Sequence, residues 1–381
     1  MKTEAPTVID VFCGAGGLSL GFELAGFNAL LGIDSDEKCV KTYSLNLSGR
    51  GVVKDVRKIR DISKFVEKHA DSDRIDVVIG GPPCQTFSIT GRIKLRSLGI
   101  NPEKDPRNGL WKWFLKFVKE LRPLFFVMEN VPAMASIKYN GVSLPNHITY
   151  EARKLGYHAE WRILNAADYG VPQIRKRLFI VGNKLEIPFY WPEKEVSDYV
   201  TVWEAISDLP IIPHGFRENE IPYSPRNKLT PFQKWARTNA EDVLYNHVTR
   251  WHREEDLLIF SLLPEGGKYT DVPKELRRYR DDIFKDRYRK LLRDAPSWTI
   301  DAHAAKDTYR YIYPSRAGHP EPPRTISVRE AARLQSFPDR FIFPPELTHA
   351  FRQIGNSVPP LLAKAIASAV KESLSHARGF I

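Results

Sequence analysis

The feature that most constrains the fold is an apolar run that enters a glycine-rich turn and then a helix-like segment. Residues 8–12 have the β-branched and aromatic composition of a buried strand, and three glycines follow within residues 13–17. Glycines let the backbone turn sharply and approach a ligand closely. In an open α/β sheet such a turn lies at the carboxyl end of a strand, where ligands bind. Taken alone, the turn predicts either a nucleotide-like cofactor site or a tight strand-to-helix connection.

Strand-like and helix-like segments alternate through the first half of the chain. Several of the strand-like runs are almost entirely apolar, as expected when helices cover both faces of a sheet. We therefore predict an α/β fold with a mixed, mostly parallel, Rossmann-like sheet. The predicted strands are 7–12, 29–34, 52–53, 75–80, 124–128 and 178–182, and the predicted helices are 18–25, 37–45, 62–69, 110–120 and 150–155.

The pattern changes after Gly182, where proline and glycine become frequent and periodicity is poor. This change predicts a second, smaller and loop-rich domain. Near the C-terminus, Ser327 and Glu330 have the spacing of a capping box at the start of a helix. An amphipathic helix is predicted after residues 355–360. We predict domains at 1–186 and 187–345, with residues 346–381 returning to the first domain.

The charge of the chain points to a polyanionic partner. Its 57 basic and 46 acidic side chains give a net charge of +11, which informs on partners rather than on fold. Residues 274–293 hold nine basic and four acidic side chains, and Arg92, Lys94 and Arg96 occur with no acidic residue before Glu103. Such clusters can bind a phosphate backbone. A solvated helix face explains the first cluster almost as well.

The cysteine content and the hydropathy of the chain indicate its cellular compartment. Three cysteines without a CxxC pair argue against a disulfide framework and against a structural zinc site. No apolar run approaches the ~20 residues of a membrane span, and the N-terminus lacks the pattern of a secretory signal. We expect a cytoplasmic protein that binds no metal.

Three further segments carry side chains with catalytic chemistry. Two glycines and two prolines precede Cys84 and place it on a loop, where a reactive thiol is favoured over a buried, inert one. Glu129 ends a buried strand and is expected at the same sheet edge; a turn carboxylate is the alternative. Strand alternation points Arg175 and Arg177 to one face and Lys176 to the other. An exposed basic strand end is the alternative there.

Together the motifs resemble those of the DNA cytosine-5 methyltransferases, in that family's order and spacing. The region between residues 187 and 323 matches no general family pattern, as expected for a target-recognition domain. The matching segments are DVFCGAGGLSLGF at 10–22, PPCQTFS at 82–88, MENV at 128–131, QIRKR at 173–177, RTISVREAARLQSFPD at 324–339 and QIGNSVPP at 353–360.

The resemblance implies S-adenosylmethionine as cofactor, with S-adenosylhomocysteine as its product. Asp34 would bind the ribose and Asp55 the adenine amino group. Two positions depart from the family pattern: Lys54 stands where glycine is frequent, and Asp34 replaces a more usual glutamate. The cofactor-binding residues implied by the resemblance are Phe12, Cys13, Gly14, Ala15, Gly17, Asp34, Asp55, Pro83, Leu110, Asn356 and Ser357.

The same resemblance assigns the chemistry. Cys84 would add to carbon 6 of a flipped cytosine, and Glu129 would supply a proton or hydrogen bond at ring nitrogen 3. Arg175 and Arg177 would hold the carbonyl of the base, or steer Cys84 and a phosphate. The expected partner is double-stranded DNA, with a cognate restriction endonuclease acting on the same site, and we expect a monomer. The predicted DNA-binding residues are Gln85, Ser88, Arg92, Lys94 and Arg96.

Three alternatives stay open from the sequence. A cytosine-5 methyltransferase acting on RNA shares the chemistry, although the PCQ form of the loop and the long middle region favour DNA. A catalytically silent DNA-binding homologue is disfavoured, because the chemically important positions hold competent residues. A nicotinamide dehydrogenase accounts for the glycine turn but leaves Cys84, Glu129 and the basic charge without a joint explanation.

Overall fold

The computed structural model describes residues 5–72, 74–83, 106–139, 141–185, 187–225, 228–278, 280, 287–315 and 321–378. The strands are β1 (Thr7–Val11), β2 (Asn28–Asp34), β3 (Arg50–Val53), β4 (Val77–Gly80), β5 (Phe125–Asn130), β6 (Lys138–Tyr139), β7 (Val142–Ser143), β8 (His158–Asn165), β9 (Gln173–Ile174), β10 (Lys176–Asn183), β11 (Glu220–Pro222), β12 (Val243–Tyr245) and β13 (Ser297–Trp298). The helices are α1 (Gly17–Leu24), α2 (Glu37–Asn46), α3 (Ile62–Ala70), α4 (Leu110–Leu121), α5 (Leu144–Lys154), α6 (Val202–Ile206), α7 (Pro231–Ala236), α8 (Glu254–Leu262), α9 (Val328–Leu334), α10 (Leu347–Asn356) and α11 (Pro360–Arg378).

The chain divides into two compact units. The first unit contains Met1–Tyr169, Lys176–Glu195 and Val358–Ile381, and the second contains Gly170–Arg175 and Val196–Ser357. The main segment of the second unit runs from Val196 to Ser357, whereas the predicted boundaries were at residues 187 and 346, and the six-residue segment before β10 also belongs with this unit. The division by function that we predicted stays a prediction.

The first unit is built on a seven-stranded sheet in the order β3-β2-β1-β4-β5-β10-β8. The first five of these strands are parallel, and β10 runs antiparallel to both β5 and β8. This arrangement confirms the predicted α/β fold. The order along the sheet reverses between β1 and β4, so the carboxyl ends of these two strands flank a topological switch point, where ligands bind in open α/β sheets.

Helices cover both faces of this sheet. Ile9 and Val11 belong to a buried core with residues of α3, α4 and α5, such as Phe114. Because side chains alternate along a strand, Asp10 faces the other way, and it hydrogen-bonds to Ser19 of α1. Apolar residues on both faces explain why the central strands have few polar positions.

Most strands and helices predicted for the first unit have bounds within a few residues of the observed ones. The helix predicted at 150–155 begins earlier, at Leu144, because a proline in the first turn (Pro145) is compatible with a helix start. Strand β8 was not predicted. It is an edge strand with charged and exposed positions, so its sequence lacks the apolar run of a central strand.

The second unit consists of short elements joined by long connections, as predicted. Strand β11 pairs with β12, and β13 pairs in parallel with β9. The capping box at the start of α9 is confirmed: Ser327 Oγ accepts from Glu330 N at 3.0 Å, and Glu330 Oε2 accepts from Ser327 N at 2.7 Å. A buried aromatic cluster that includes Phe260, Tyr269 and Tyr288 forms one part of the core.

Part of the basic cluster at 274–293 is internal to this unit. Lys290 is buried and donates to the Ser315 carbonyl, and Arg293 lies between Glu265 and Glu321. Arg278 pairs with Asp256. Lys290 and Arg293 therefore stabilise the interior of this unit, whereas Arg278 is exposed. Within the described ranges, no helix combines the length and the apolar character that a membrane span requires.

Candidate active site

The glycine-rich turn folds around the end of β2. The backbone amides of Phe12 and Cys13 both donate to the Ile33 carbonyl, at 2.9 and 3.0 Å. The amide of Gly14 donates to Asp34 Oδ2 at 2.9 Å. Phe12 has a φ of +75°, a left-handed conformation that non-glycine residues rarely adopt and that clusters at functional sites. The turn is therefore held in one conformation by the neighbouring strand.

Two glycines of the turn have different reasons to be glycine. Gly16 has a φ of +96°, and a Cβ there would lie 2.3 Å from Leu47 Cδ1. Gly14 has a φ of +53°, yet a Cβ there would meet nothing within 4 Å. Gly16 thus allows close packing, whereas Gly14 borders open space, as the wall of a ligand site does. Gly16 was not among the predicted site residues, although its place between Gly14 and Gly17 in the glycine-rich turn was a signal for it.

Carboxylates follow the glycine turn along the sheet edge. Asp34 ends β2, where burial raises the pKa of its carboxyl group against hydrogen bonds from the amides of Asp36 and Gly14. Asp55 follows β3, and its hydrogen-bonded ion pair with Arg57, at 2.7 Å, lowers the pKa of its carboxyl group. Since β1, β2 and β3 are adjacent and parallel, the turn and both carboxylates lie at one edge. Open space beside Gly14 and a row of acceptors fit an extended nucleoside.

The other predicted cofactor residues lie in both units. Burial raises the pKa of the Cys13 thiol, so this cysteine is a packed, neutral group rather than a nucleophile. Ala15 and Leu110 are buried, Gly17 begins α1, and Pro83 is exposed. These residues belong to the first unit. Asn356, the exposed last residue of α10, and the buried Ser357 belong to the second.

A buried carboxylate behind the glycine turn was missed by the sequence analysis. Asp10 is 2% exposed, and its Oδ2 accepts from Ser19 Oγ at 2.6 Å. Its Oδ1 has no hydrogen-bond partner in the part of the chain that the structure describes. Burial raises the pKa of Asp10 to about 7, with the carboxylates of Asp34 and Glu129 adding to the increase. An aspartate inside an apolar strand was the available signal.

We expect Asp10→Asn to flatten the pH dependence of stability between about pH 4 and pH 7. The folded pKa near 7 exceeds the ordinary value of 3.8, so the folded state binds the proton more tightly than the unfolded state. The resulting stability is present below pH 3.8 and is lost as pH rises through about 7. As the pH rises from 4.5 to 8, the free energy of unfolding in urea should fall more for the native protein than for the variant. Parallel curves would contradict the assignment.

The second group of site residues lies where β4 and β5 end. Gly80, the last residue of β4, is paired with Met128, so Gly81 follows beside Glu129 of β5. A Cβ on Gly81 would lie 3.0 Å from Glu129 Oε2. The Asn130 amide donates to the Pro82 carbonyl at 3.2 Å. The segment that leads to residue 84 is therefore fixed against the end of β5.

The predicted nucleophile and DNA contacts follow this segment. Cys84, Gln85, Ser88, Arg92, Lys94 and Arg96 lie outside the described residues. Their predicted roles stay predictions. The described chain resumes at Pro106, just ahead of α4.

Arg177 contacts the carboxylate of Glu129 directly. Its Nε lies 3.0 Å from Glu129 Oε1, and each side chain is 12% exposed. Phe179 of β10 is paired with Glu129, so Arg177, two residues away along the strand, shares its face. One oxygen of Glu129 therefore contacts Arg177, and the other faces Gly81.

Arg175 has different partners. Its guanidinium is fully buried and donates to the carbonyls of Ile300, Gly355 and Ser357, at 2.6, 2.8 and 3.0 Å. The alternation that predicted a common face for the two arginines assumes one continuous strand. Strand β9 ends at residue 174 and β10 begins at residue 176, so Arg175 lies between them and belongs to the second unit.

Comparisons with known proteins identify the family and the fold. The family model for C-5 cytosine-specific DNA methylases matches residues 6–372. The type II methyltransferase M1.HphI of Haemophilus parahaemolyticus is 36% identical over 96% of this chain and 86% of its own. M.DdeI of Desulfomicrobium norvegicum, also a type II methyltransferase, is 36% identical over 95% and 88%. A solved E. coli prophage protein, a candidate DNA modification methyltransferase, is 29% identical with a TM-score of 0.74, covering 97% of this chain and 100% of its own.

The fold is that of an α/β methyltransferase. The chain belongs to the C-5 cytosine-specific DNA methylase family, and it is a DNA (cytosine-5-)-methyltransferase.

Proposed function

We propose that this enzyme methylates carbon 5 of a cytosine within a specific duplex DNA sequence, through a covalent bond between Cys84 and carbon 6 of the flipped base. The observation that supports it best is the arrangement around Glu129. Arg177 contacts one of its oxygens at 3.0 Å, and the segment leading to Cys84 begins beside the other. The Asn130–Pro82 hydrogen bond fixes that segment. A carboxyl group, a cation and a thiol can thus approach one pyrimidine.

The proposed chemistry begins with the thiolate of Cys84, which forms a bond to carbon 6. The C5–C6 π pair moves to C4–C5, and the C4–N3 pair moves to nitrogen 3, which takes a proton from Glu129. Carbon 5 is then nucleophilic. S-Adenosylmethionine, when bound, supplies an electrophilic methyl group to this carbon. The nitrogen 3 pair re-forms the C4–N3 double bond as carbon 5 takes the methyl group, and Glu129 takes back the nitrogen 3 proton. A base then removes the proton from carbon 5, and the C5–C6 double bond re-forms as the thiolate leaves.

The relative size of these effects assigns the main role to Glu129. A free thiol has a pKa of about 8.5, so lowering it to ~7 increases the thiolate fraction only about tenfold. General acid assistance typically contributes ~10²–10⁴-fold. We infer that protonation of the ring accelerates the reaction more than ionisation of the thiol does. Arg177 would orient Glu129 and contact the base carbonyl.

The residues at the carboxyl ends of β1, β2 and β3 fit S-adenosylmethionine. Gly14 borders open space, and the turn from Phe12 to Gly17 is fixed by hydrogen bonds to β2. Asp34 would accept hydrogen bonds from the ribose. Asp55, held ionised by Arg57, would accept one from the adenine amino group.

DNA binding would depend on contacts to the phosphate backbone and on reading of the bases. Extruding the cytosine costs a few kcal/mol, which phosphate contacts can offset. The second unit would read the flanking bases through the groove. The type II relatives support a cognate restriction endonuclease, and we propose a monomer that acts in the cytoplasm. The residues proposed to contact DNA are Gln85, Ser88, Arg92, Lys94 and Arg96.

The test is transfer of a tritiated methyl group to duplex DNA and to tRNA in parallel. We expect incorporation into DNA at one short sequence, located by sequencing the methylated cytosines. Incorporation into tRNA alone would favour the RNA-acting alternative. No incorporation into either, with DNA binding retained, would favour the silent homologue.

A further inference from the structure

The last turn of α10 is held from one side by buried side chains. Arg175 Nη2 donates to the Gly355 carbonyl at 2.8 Å and to the Ser357 carbonyl at 3.0 Å. These carbonyls belong to the residues on either side of Asn356. The same guanidinium donates through Nη1 to the Ile300 carbonyl at 2.6 Å. One buried cation therefore fixes the backbone on both sides of a residue whose own side chain is exposed.

Two glutamines extend this hydrogen-bond network around the end of α10. Gln335 Nε2 donates to the Ser357 carbonyl at 2.7 Å. Gln173 Nε2 donates to Gln335 Oε1 at 2.6 Å, and Gln173 Oε1 accepts from the Ile300 amide at 2.9 Å. All are buried. Carbonyls at a helix C-terminus lack partners within the helix, so these donors satisfy groups that would otherwise need water.

Packing leaves this turn little freedom to shift. A Cβ on Gly355 would lie 2.4 Å from the backbone carbon of Asp301, so this turn lies directly against another backbone segment. Ser357 Oγ donates to the Gln353 carbonyl at 2.6 Å. The backbone of this turn is therefore held on its buried side, while the Asn356 side chain is exposed on the other.

We propose that Arg175 is a positioning residue for S-adenosylmethionine, which fixes Asn356 in its binding conformation, and that it does not contact the target cytosine. This inference rests on the proposed function and on the cofactor contact that the family resemblance implies for Asn356. Its energetic basis is preorganisation: a side chain ordered before binding loses less conformational entropy when the ligand arrives. A lysine at position 175 has a single ammonium group and cannot reproduce the planar fork that reaches three carbonyls.

The test is a double-mutant cycle on cofactor affinity, measured by calorimetry with S-adenosylmethionine and no DNA. We expect Arg175→Lys and Asn356→Ala each to raise the Kd about tenfold, and the double variant to be little weaker than either one. Arg329→Lys is the matched control, at a buried arginine of α9 that donates to three other carbonyls, and its Kd should stay within about twofold of the native value. In the unliganded protein, hydrogen exchange at the Ser357 amide should be faster in Arg175→Lys.

The outcomes separate this inference from the proposed function. If Asn356→Ala leaves the Kd unchanged, the proposed cofactor role of Asn356 is wrong. If Asn356→Ala weakens binding but Arg175→Lys does not, or if the two effects add, the positioning role is overturned. Should Arg175→Lys not fold, Gln335→Glu removes the second donor to the Ser357 carbonyl, and the same cycle with Asn356→Ala applies.

Discussion

Cys84→Ala should abolish methyl transfer, lowering the rate by roughly 10⁴-fold or more, because alanine cannot form the bond to carbon 6. Without that bond, carbon 5 of cytosine does not become nucleophilic. Binding of duplex DNA and of S-adenosylmethionine should survive, since neither depends on the thiol. Single-turnover transfer of a tritiated methyl group, with DNA affinity measured by gel shift, would check both statements.

A matched control is Cys39→Ala, at a half-buried cysteine on α2 that has no role in the proposed site. That variant should retain methyl transfer. DNA carrying 5-fluorocytosine should trap a covalent adduct, because fluorine cannot leave as a cation in the final elimination. Mass spectrometry should locate the adduct at Cys84. An adduct at another residue, or turnover by the alanine variant, would show that the nucleophile is assigned wrongly.

Glu129→Gln should lower the rate of methyl transfer by about 10²–10⁴-fold, the range for loss of a general acid. Glutamine matches glutamate in size and can still contact Arg177 through its carbonyl oxygen, but it has no acidic proton for nitrogen 3. The Kd for S-adenosylmethionine should change little, because the proposed cofactor contacts lie at the ends of other strands. Rates under single-turnover conditions and calorimetric affinities would separate the two effects.

Glu151→Gln is the control variant, because it removes a carboxylate outside the proposed active site. Glu151 is on α5 and pairs with Lys154 at 2.9 Å, so its loss should leave the rate unchanged. The Glu129 variant should also accumulate less of the 5-fluorocytosine adduct per unit time, since addition at carbon 6 needs the proton. A near-normal rate would mean that Glu129 serves only to hold Arg177 and the neighbouring loop.

The central strands and their ligand-binding edge followed from local sequence. Apolar runs of five or six residues are long enough to define a buried strand. The glycines at residues 13–17 predict a tight turn, because glycine readily adopts the backbone conformations that such a turn requires. The capping box at Ser327 and Glu330 is equally local, since both partners lie within one helical turn. Such features need no information about distant residues, which is why the prediction and the structure agree on them.

The partners of individual side chains depended on the tertiary structure. Arg175 and Arg177 are two residues apart, yet a break between β9 and β10 gives one of them three carbonyls and the other a carboxylate. The raised pKa of Asp10 likewise depends on tertiary contacts, because burial disfavours its charged form while Ser19 of α1 donates to its carboxyl group. Strand period and turn chemistry are encoded within a few residues. Register, burial and the choice of partner are decided by segments that meet only when the whole chain has folded.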